Sequence, residues 1–356
     1  MYETFFNLQK NPFGMTPDPS CMFMTASHRE ALAGLMYAIF KRKGFVVLTG
    51  DAGTGKTTLL RSLIRSSSGA QFGMILNPTL TLDEFLELVL FDFGISEVPR
   101  SKAQRIVKLQ ELLADFHQSG KVPVLIVDEA HKVSPEVLEE IRLLTNFETT
   151  EQKLLQIVLA GQSELGGVLN REDLRQLKQR IELRLELKPL SLSDIGLYMQ
   201  HRWERAGGAA TELPFVPETL PLIAKASHGI PRLVNSICDN ALLLAYGDGA
   251  ALVTVKHISQ VMKEFDLMDS SAEAAPKAPA VPAPSNGHAA AQAPARNGAP
   301  TLSTIPTLDR YCTEMRKPSL IMRWMRKMSL GEVQPTRSTS QTAIRPTIQT
   351  MRLGDE

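Results

Sequence analysis

With 356 residues and a formal net charge of +1, the chain can hold one large core and a smaller domain, but it has no overall electrostatic pull toward nucleic acid or an anionic membrane. Its three cysteines, Cys21, Cys238 and Cys312, lie far apart without a C-x-x-C pair, which argues against a disulfide framework or zinc site and fits a reducing cytosol. Met1-Tyr2-Glu3-Thr4-Phe5-Phe6 lacks a basic stretch followed by an apolar one, and no apolar run approaches the roughly 20 residues that span a bilayer, so the expectation is a protein neither exported nor integral to a membrane.

Residues 1–27 read as irregular, broken by Asn11-Pro12-Phe13-Gly14 and Thr16-Pro17-Asp18-Pro19, and are expected to lie against the first domain. Leu32, Leu35, Met36, Ile39 and Phe40 then recur at helical spacing behind Ser27 and Glu30, which match a capping box. His28 in that first turn reads as structural, with contact to a nucleotide base as the alternative. Val46, Val47 and Leu48 next form the short apolar run of a buried parallel strand, and residues 58–64 have helical spacing.

Between that strand and helix stands Gly50-Asp51-Ala52-Gly53-Thr54-Gly55-Lys56-Thr57, followed by Thr58, which matches G-x-x-x-x-G-K-[ST] in strand–loop–helix context. Glycines let successive N–H groups turn inward toward phosphate oxygens, and the helix N-terminus adds its positive end. Lys56 is expected to reach the β- and γ-phosphates and the Thr57 hydroxyl to ligate Mg²⁺. The motif therefore predicts ATP and Mg²⁺ as ligands, with residues 50–58 as the binding loop.

A second strand is expected at 73–76, and helices at 82–93 and 101–118, the latter with Ile106, Leu109, Leu112, Leu113 and Phe116 inward. Pro123-Val124-Leu125-Ile126-Val127-Asp128-Glu129 then reads as a buried strand ending in two acids. Asp128 can hold Mg²⁺ through water beside the loop. Glu129 lies at the strand's C-terminal edge, where ligands bind in open α/β sheets, and can polarise an attacking water. After a helix at 135–147, Leu154-Leu155-Gln156-Ile157-Val158-Leu159-Ala160-Gly161-Gln162 is another buried strand, and Gln162 is a second candidate for positioning that water. A helix at 171–177 and a strand at 181–187 complete an alternation that predicts a parallel sheet covered on both faces.

From Leu190 the strand pattern stops, and residues 191–206, 217–226, 231–246 and 256–266 read as the helices of a small lid. Gly229-Ile230-Pro231-Arg232 opens one of them with a cation in its first turn, unfavourable unless an anion is near, which marks Arg232 as facing nucleotide. The expected domains are thus 1–189 (α/β, nucleotide-binding), 190–268 (helical lid), 269–310 (disordered Ala/Pro-rich linker) and 311–356 (a mostly disordered tail). In that tail Leu320, Ile321, Trp324, Met325 and Met328 share one helical face and Arg323, Arg326 and Lys327 the other, a pattern suited to a membrane surface or a partner groove.

The phosphate loop, the Asp-Glu strand end, the polar residue closing the next strand and the Gly-x-Pro-Arg helix together resemble an AAA+ ATPase. More narrowly, the chain resembles the bacterial ExeA/GspA-type ATPases of general secretion over residues 1–268. That likeness includes Asn11-Pro12-Phe13, Thr16-Pro17-Asp18-Pro19, Ser27-x-x-Glu30-Ala31-Leu32, Gly44-Phe45, Leu159-Ala160-Gly161-Gln162 and Gln179-Arg180-Ile181. The resemblance implies a P-loop AAA+ fold, a homo-oligomer with nucleotide between subunits, and an arginine reaching the neighbour's phosphates; Arg180 is the candidate and Arg184 the reserve. It also implies a partner in secretion or envelope assembly. Membrane-anchored members continue into a transmembrane helix and a peptidoglycan-binding domain, neither of which is seen here. The expected location is therefore the cytoplasm, with peripheral contact at the inner membrane through the tail as one alternative, beside a tail that docks on its own domain or stays unstructured.

The leading expectation is a Mg²⁺-dependent ATPase with Glu129, Lys56, Gln162, Arg180 and Arg232 in catalysis and Thr57 and Asp128 on the metal. The alternative is a DNA-associated ATPase of the transposition target-selection type, disfavoured by the near-neutral composition. A non-hydrolysing, ATP-gated scaffold is argued against by Glu129, Gln162 and Arg232. Asp128-Glu129-Ala130-His131 spells a helicase box, but a helical lid follows where a helicase needs a second α/β domain. No Asn-Lys-x-Asp element indicates guanine recognition.

Overall fold

A computed structural model describes residues 1–16, 21–209 and 213–267. The expected linker, the amphipathic tail segment, Cys312 and most of Thr16-Pro17-Asp18-Pro19 lie outside the described residues. Chain order is α1 (Tyr2–Phe5), α2 (Ala26–Phe40), β1 (Phe45–Gly50), α3 (Lys56–Ser66), β2 (Ala70–Ile75), α4 (Leu82–Asp92), α5 (Lys102–Gln118), β3 (Val122–Val127), α6 (Pro135–Leu144), β4 (Gln156–Gly161), α7 (Glu164–Leu169), α8 (Arg175–Gln179) and β5 (Leu183–Leu187). Four helices follow: α9 (Leu192–Arg205), α10 (Thr219–Ser227), α11 (Pro231–Gly247) and α12 (Val255–Glu264).

The strands form one parallel sheet in the order β2-β3-β4-β1-β5. Alternation along the strands supplies two cores. Phe45, Val47, Leu125, Val127, Ile157 and Leu159 face one side with residues of α4 to α8. Val46, Leu48, Val124, Ile126, Val158 and Ala160 face the other, against α2 and α3. All six residues of β3 and all six of β4 are buried, which explains their near-continuous apolar sequence. The expected P-loop α/β architecture with a helical C-terminal part is the observed one.

Helices α9 to α12 enclose a third core around Trp203, Ile237 and Val261, and the chain's first residues belong to it. This corrects two expectations: residues 1–27 contain a helix, and they pack on the C-terminal helices as well. Tyr2 and Phe13 need apolar cover that the closed sheet faces do not offer, and they are buried against α9 and α11. Polar contacts fix the strap. Arg202 donates to the carbonyls of Pro12 (2.7 Å) and Gly14 (3.1 Å), Asn11 donates to Asp239 (2.9 Å), and the Tyr2 hydroxyl donates to the same carboxylate.

Other departures are local. Helix α2 is capped by Thr25, whose hydroxyl accepts the His28 N–H, so Ser27 and Glu30 are already inside the helix and form no capping box. Strand β2 starts at Ala70 rather than Gly73, because its partner β3 begins at Val122 and pairs from there. The helix expected at 171–177 is a 3-10 turn, Glu172–Leu174, running into α8, and α7 before it was not foreseen because Gly166 and Gly167 mask its helical pattern.

The α/β and helical parts meet tightly at Gly229, where φ is +74° and a Cβ would lie 2.2 Å from the Leu190 carbonyl oxygen. Gly249, with φ +66°, has nothing within 4 Å of such an atom. Gly249→Ala should therefore cost only the left-handed backbone penalty, about 1–2 kcal/mol, while Gly229→Ala costs clearly more. Urea denaturation compares them; equal losses would mean that the Leu190 contact imposes no constraint.

Candidate nucleotide site

Strands β3, β4 and β1 are neighbours and run in one direction, so Asp128, Gln162 and the loop after Gly50 emerge at one sheet edge. Thr57, in the first turn of α3, donates its hydroxyl to Asp128 Oδ2 at 2.6 Å, joining two oxygen ligands suited to a hard cation. Asp128 is buried, and its Oδ1 accepts the Glu129 N–H at 2.9 Å. This donor set fits Mg²⁺, which is held by few protein oxygens alongside phosphate and water.

Lys56 is also buried, and its ammonium donates to the carbonyls of Gly50 (2.7 Å) and Asp51 (3.0 Å) within its own loop. Burial pushes its pKa down, opposed chiefly by Glu129 and then Asp128. Thr54 closes the turn by donating its hydroxyl to the Asp51 carbonyl at 2.8 Å. The Asp51 carboxylate accepts from Ser163 at 2.7 Å, tying the loop to the end of β4.

Glu129 occupies the left-handed region, φ +52°, uncommon for a residue with a side chain and a mark of local strain. Its carboxylate accepts from Gln162 Nε2 at 3.4 Å and lies 3.6 Å from His131 Nε2 and 3.5 Å from Lys132 Nζ. The Gln162 backbone N–H points to His131 Nδ1 at 3.4 Å. His131 thus joins the acids and Gln162 in one cluster, a role that the sequence reading of Asp128-Glu129-Ala130-His131 does not give it.

A cleft of about 300 Å³ opens over the loop, with Met22, Phe23 and His28 on one wall and Tyr198, Arg232 and Asn235 on another. Arg232 sits over the loop: a Cβ on Gly53 would lie 2.7 Å from Arg232 Cβ, and the Arg232 N–H faces the Gly53 carbonyl at 3.4 Å. Tyr198 donates to Asn235 at 2.7 Å. Neither residue was singled out from sequence, although Asn235 stands one turn beyond Arg232 on the same helix face.

Arg180 is not part of this group. It precedes β5, whose Leu183 pairs with Val46 and whose Leu187 pairs with Gly50, so it lies at the opposite edge of the sheet from the loop. Its guanidinium is 3.5 Å from the Thr145 hydroxyl. Arg184 is exposed on β5, an edge strand.

Four likenesses accompany this geometry. Residues 36–169 match the family model described as AAA domain. Over 264 residues the chain is 42% identical to general secretion pathway protein A of Aeromonas hydrophila, an alignment that takes in 73% of this chain and 47% of that protein, so the chain spans about half the length of that relative. It is 26% identical to the ATP-dependent target DNA activator B of Escherichia phage Mu, over 70% of this chain and 75% of that one. The ADP form of the ORC2 protein of Aeropyrum pernix has the same fold, with a TM-score of 0.56 at 17% identity, covering 71% of this chain and 72% of that chain. Among the described residues no helix is long and apolar enough to cross a membrane.

The buried His28 gives the site a pH signature. Burial pushes its pKa below the usual value, only partly opposed by its bond to the Thr54 carbonyl and by Asp194. The native state then binds this proton less readily than the unfolded chain, so stability is full above about pH 6.5 and falls as pH drops through the native pKa. Urea midpoints at pH 7 and pH 5 should differ less in His28→Gln than in the wild type, with a residual slope from His201, whose pKa burial also lowers.

Proposed function

We propose that this chain, which is similar to general secretion pathway protein A and carries a stretch matching the AAA domain family, is a P-loop ATPase of the AAA+ class that binds ATP with Mg²⁺ at residues 50–58 and hydrolyses it as an oligomer. The convergence of Thr57, Asp128, Glu129 and Gln162 at one sheet edge carries this reading. Amides of residues 53–58 and the α3 N-terminus bind the phosphates. Lys56 exchanges its carbonyl partners for phosphate oxygens, which restores full counter-charge to a desolvated ammonium. Thr57 and Asp128 hold Mg²⁺, which when bound offsets phosphate charge. Glu129 accepts a proton from the attacking water, Gln162 positions that water, and Arg232 carries the state of the phosphates into α11. Residues 1–189 and 190–268 act as base and lid.

On this reading the work done serves secretion or envelope and exopolysaccharide assembly, through a protein partner in the cytoplasm or peripherally at the inner membrane, where the tail segment would make contact. The second reading is a DNA-associated ATPase, favoured by the likeness to the phage Mu activator along 75% of its length. ATPase activity stimulated by DNA, with a steep loss in salt, would select it.

Glu129→Gln should retain ATP affinity while turnover falls by roughly 10²–10⁴, the range for a general base. A radiolabelled hydrolysis assay beside equilibrium binding separates the two, and hydrolysis within twofold of wild type would remove Glu129 from its role. Arg180 is assigned to a neighbour's phosphates, an interaction worth roughly 10³–10⁵ in rate. Mixing Arg180→Ala with Lys56→Ala subunits should therefore restore activity that neither has alone. No recovery in verified mixed oligomers would count against action in trans.

A further inference from the structure

Helix α2 begins against the phosphate loop, and one buried side chain makes the junction. His28 is 4% exposed, with Nε2 at 3.1 Å from the Thr54 carbonyl oxygen and Nδ1 at 2.6 Å from the Thr25 hydroxyl. A carbonyl can only accept, so Nε2 carries the proton; Nδ1 is then the acceptor, and Thr25 donates to it. The same Thr25 oxygen accepts the His28 N–H at 3.3 Å as the cap of α2. Both ring nitrogens are committed to protein groups, leaving neither for a nucleotide base.

The peptide group gripped by His28 joins Thr54 to Gly55. In a trans peptide the C=O and N–H point in opposite directions, so drawing the carbonyl toward the ring turns the Gly55 N–H away from it. The ring also packs closely on this turn: a Cβ on Gly55 would lie 3.3 Å from His28 Nε2. Without that hold, the peptide could rotate and present its carbonyl oxygen, rather than its amide, to phosphate oxygens, replacing an attraction with a repulsion. Gly55, at φ +103°, has no side chain to oppose such a flip.

We infer that His28 is a positioning residue for the phosphate loop: through Nε2–H it holds the Thr54–Gly55 peptide with its amide toward bound phosphate, and Thr25 fixes the tautomer that makes this possible. The inference rests on residues 50–58 being the nucleotide loop. It assigns to the start of α2 a share of phosphate affinity that the loop motif alone does not contain.

Glutamine and asparagine separate this role from simple packing. The amide nitrogen of glutamine can occupy the position of imidazole Nε2, whereas the shorter asparagine reaches only that of Nδ1. In the full chain, ADP affinity should fall roughly tenfold in His28→Ala and His28→Asn, the scale of one lost hydrogen bond, and stay within about threefold of wild type in His28→Gln. Adenosine affinity should move by less than about twofold in all three, and KM for ATP should rise more than kcat falls. Equal ADP affinities for the Asn and Gln variants, or wild-type affinity in His28→Ala while Lys56→Ala loses binding, would overturn the proposal. If wild type bound no ADP, or Lys56→Ala bound it equally well, the loop assignment would fall instead. A ¹⁵N-histidine spectrum of the wild type, assigned against His28→Gln, decides the contact without relying on variant folding: an Nε2–H tautomer is expected, and an Nδ1–H tautomer would sink the inference.

Discussion

Burial of three parallel strands on both faces is the constraint on which the site depends. Because β3, β4 and β1 pair in register and in one direction, every break from apolar to polar sequence at their C-terminal ends occurs at one edge. Val127 is fully buried and Asp128, the next residue, carries a carboxylate that Thr57 reaches from another element. Shifting β3 by one residue against β4 would exchange the side chains facing the two cores, so the apolar alternation that holds the sheet also fixes where its acids stand. The hydrogen bond from Thr57 to Asp128 is the visible result.

Much of this was readable because its determinants are local. A strand, a glycine turn and a lysine on one short stretch specify the loop, and four apolar residues before Asp128 specify a strand end. What remained hidden depends on groups far apart in sequence or without a side-chain signature. His28 is held by a backbone carbonyl 26 residues away, and no motif announces a carbonyl. The placement of Tyr2 and Phe13 against α9 and α11 follows from which apolar surface the sheet leaves uncovered, a property of the finished fold. Gly166 and Gly167 hid α7 for the opposite reason: local propensity spoke against a helix that packing on the sheet sustains through Leu165 and Leu169.

The chain's first residues join parts that the sequence separates widely. Arg202 on α9 grips the carbonyls of Pro12 and Gly14, Asp239 on α11 receives Asn11 and Tyr2, and Phe23 packs its ring edge-on to Tyr198 in the cleft wall. Through Thr25 and His28 the same segment continues into the phosphate loop. The cleft is therefore built by three regions, and displacement of α9 or α11 must carry the strap with it or break these bonds.

Arg180 and the loop stand at opposite edges of one sheet. A subunit whose Arg180 served a neighbour's loop would join unlike surfaces, front to back. Such a contact has no two-fold axis to terminate it, so the neighbour presents a free front in its turn. Growth then ends only where accumulated rotation closes a ring, and otherwise continues as a helical filament. The small angle between successive subunits, rather than any further chemistry at the loop, would decide between a counted assembly and an uncounted one.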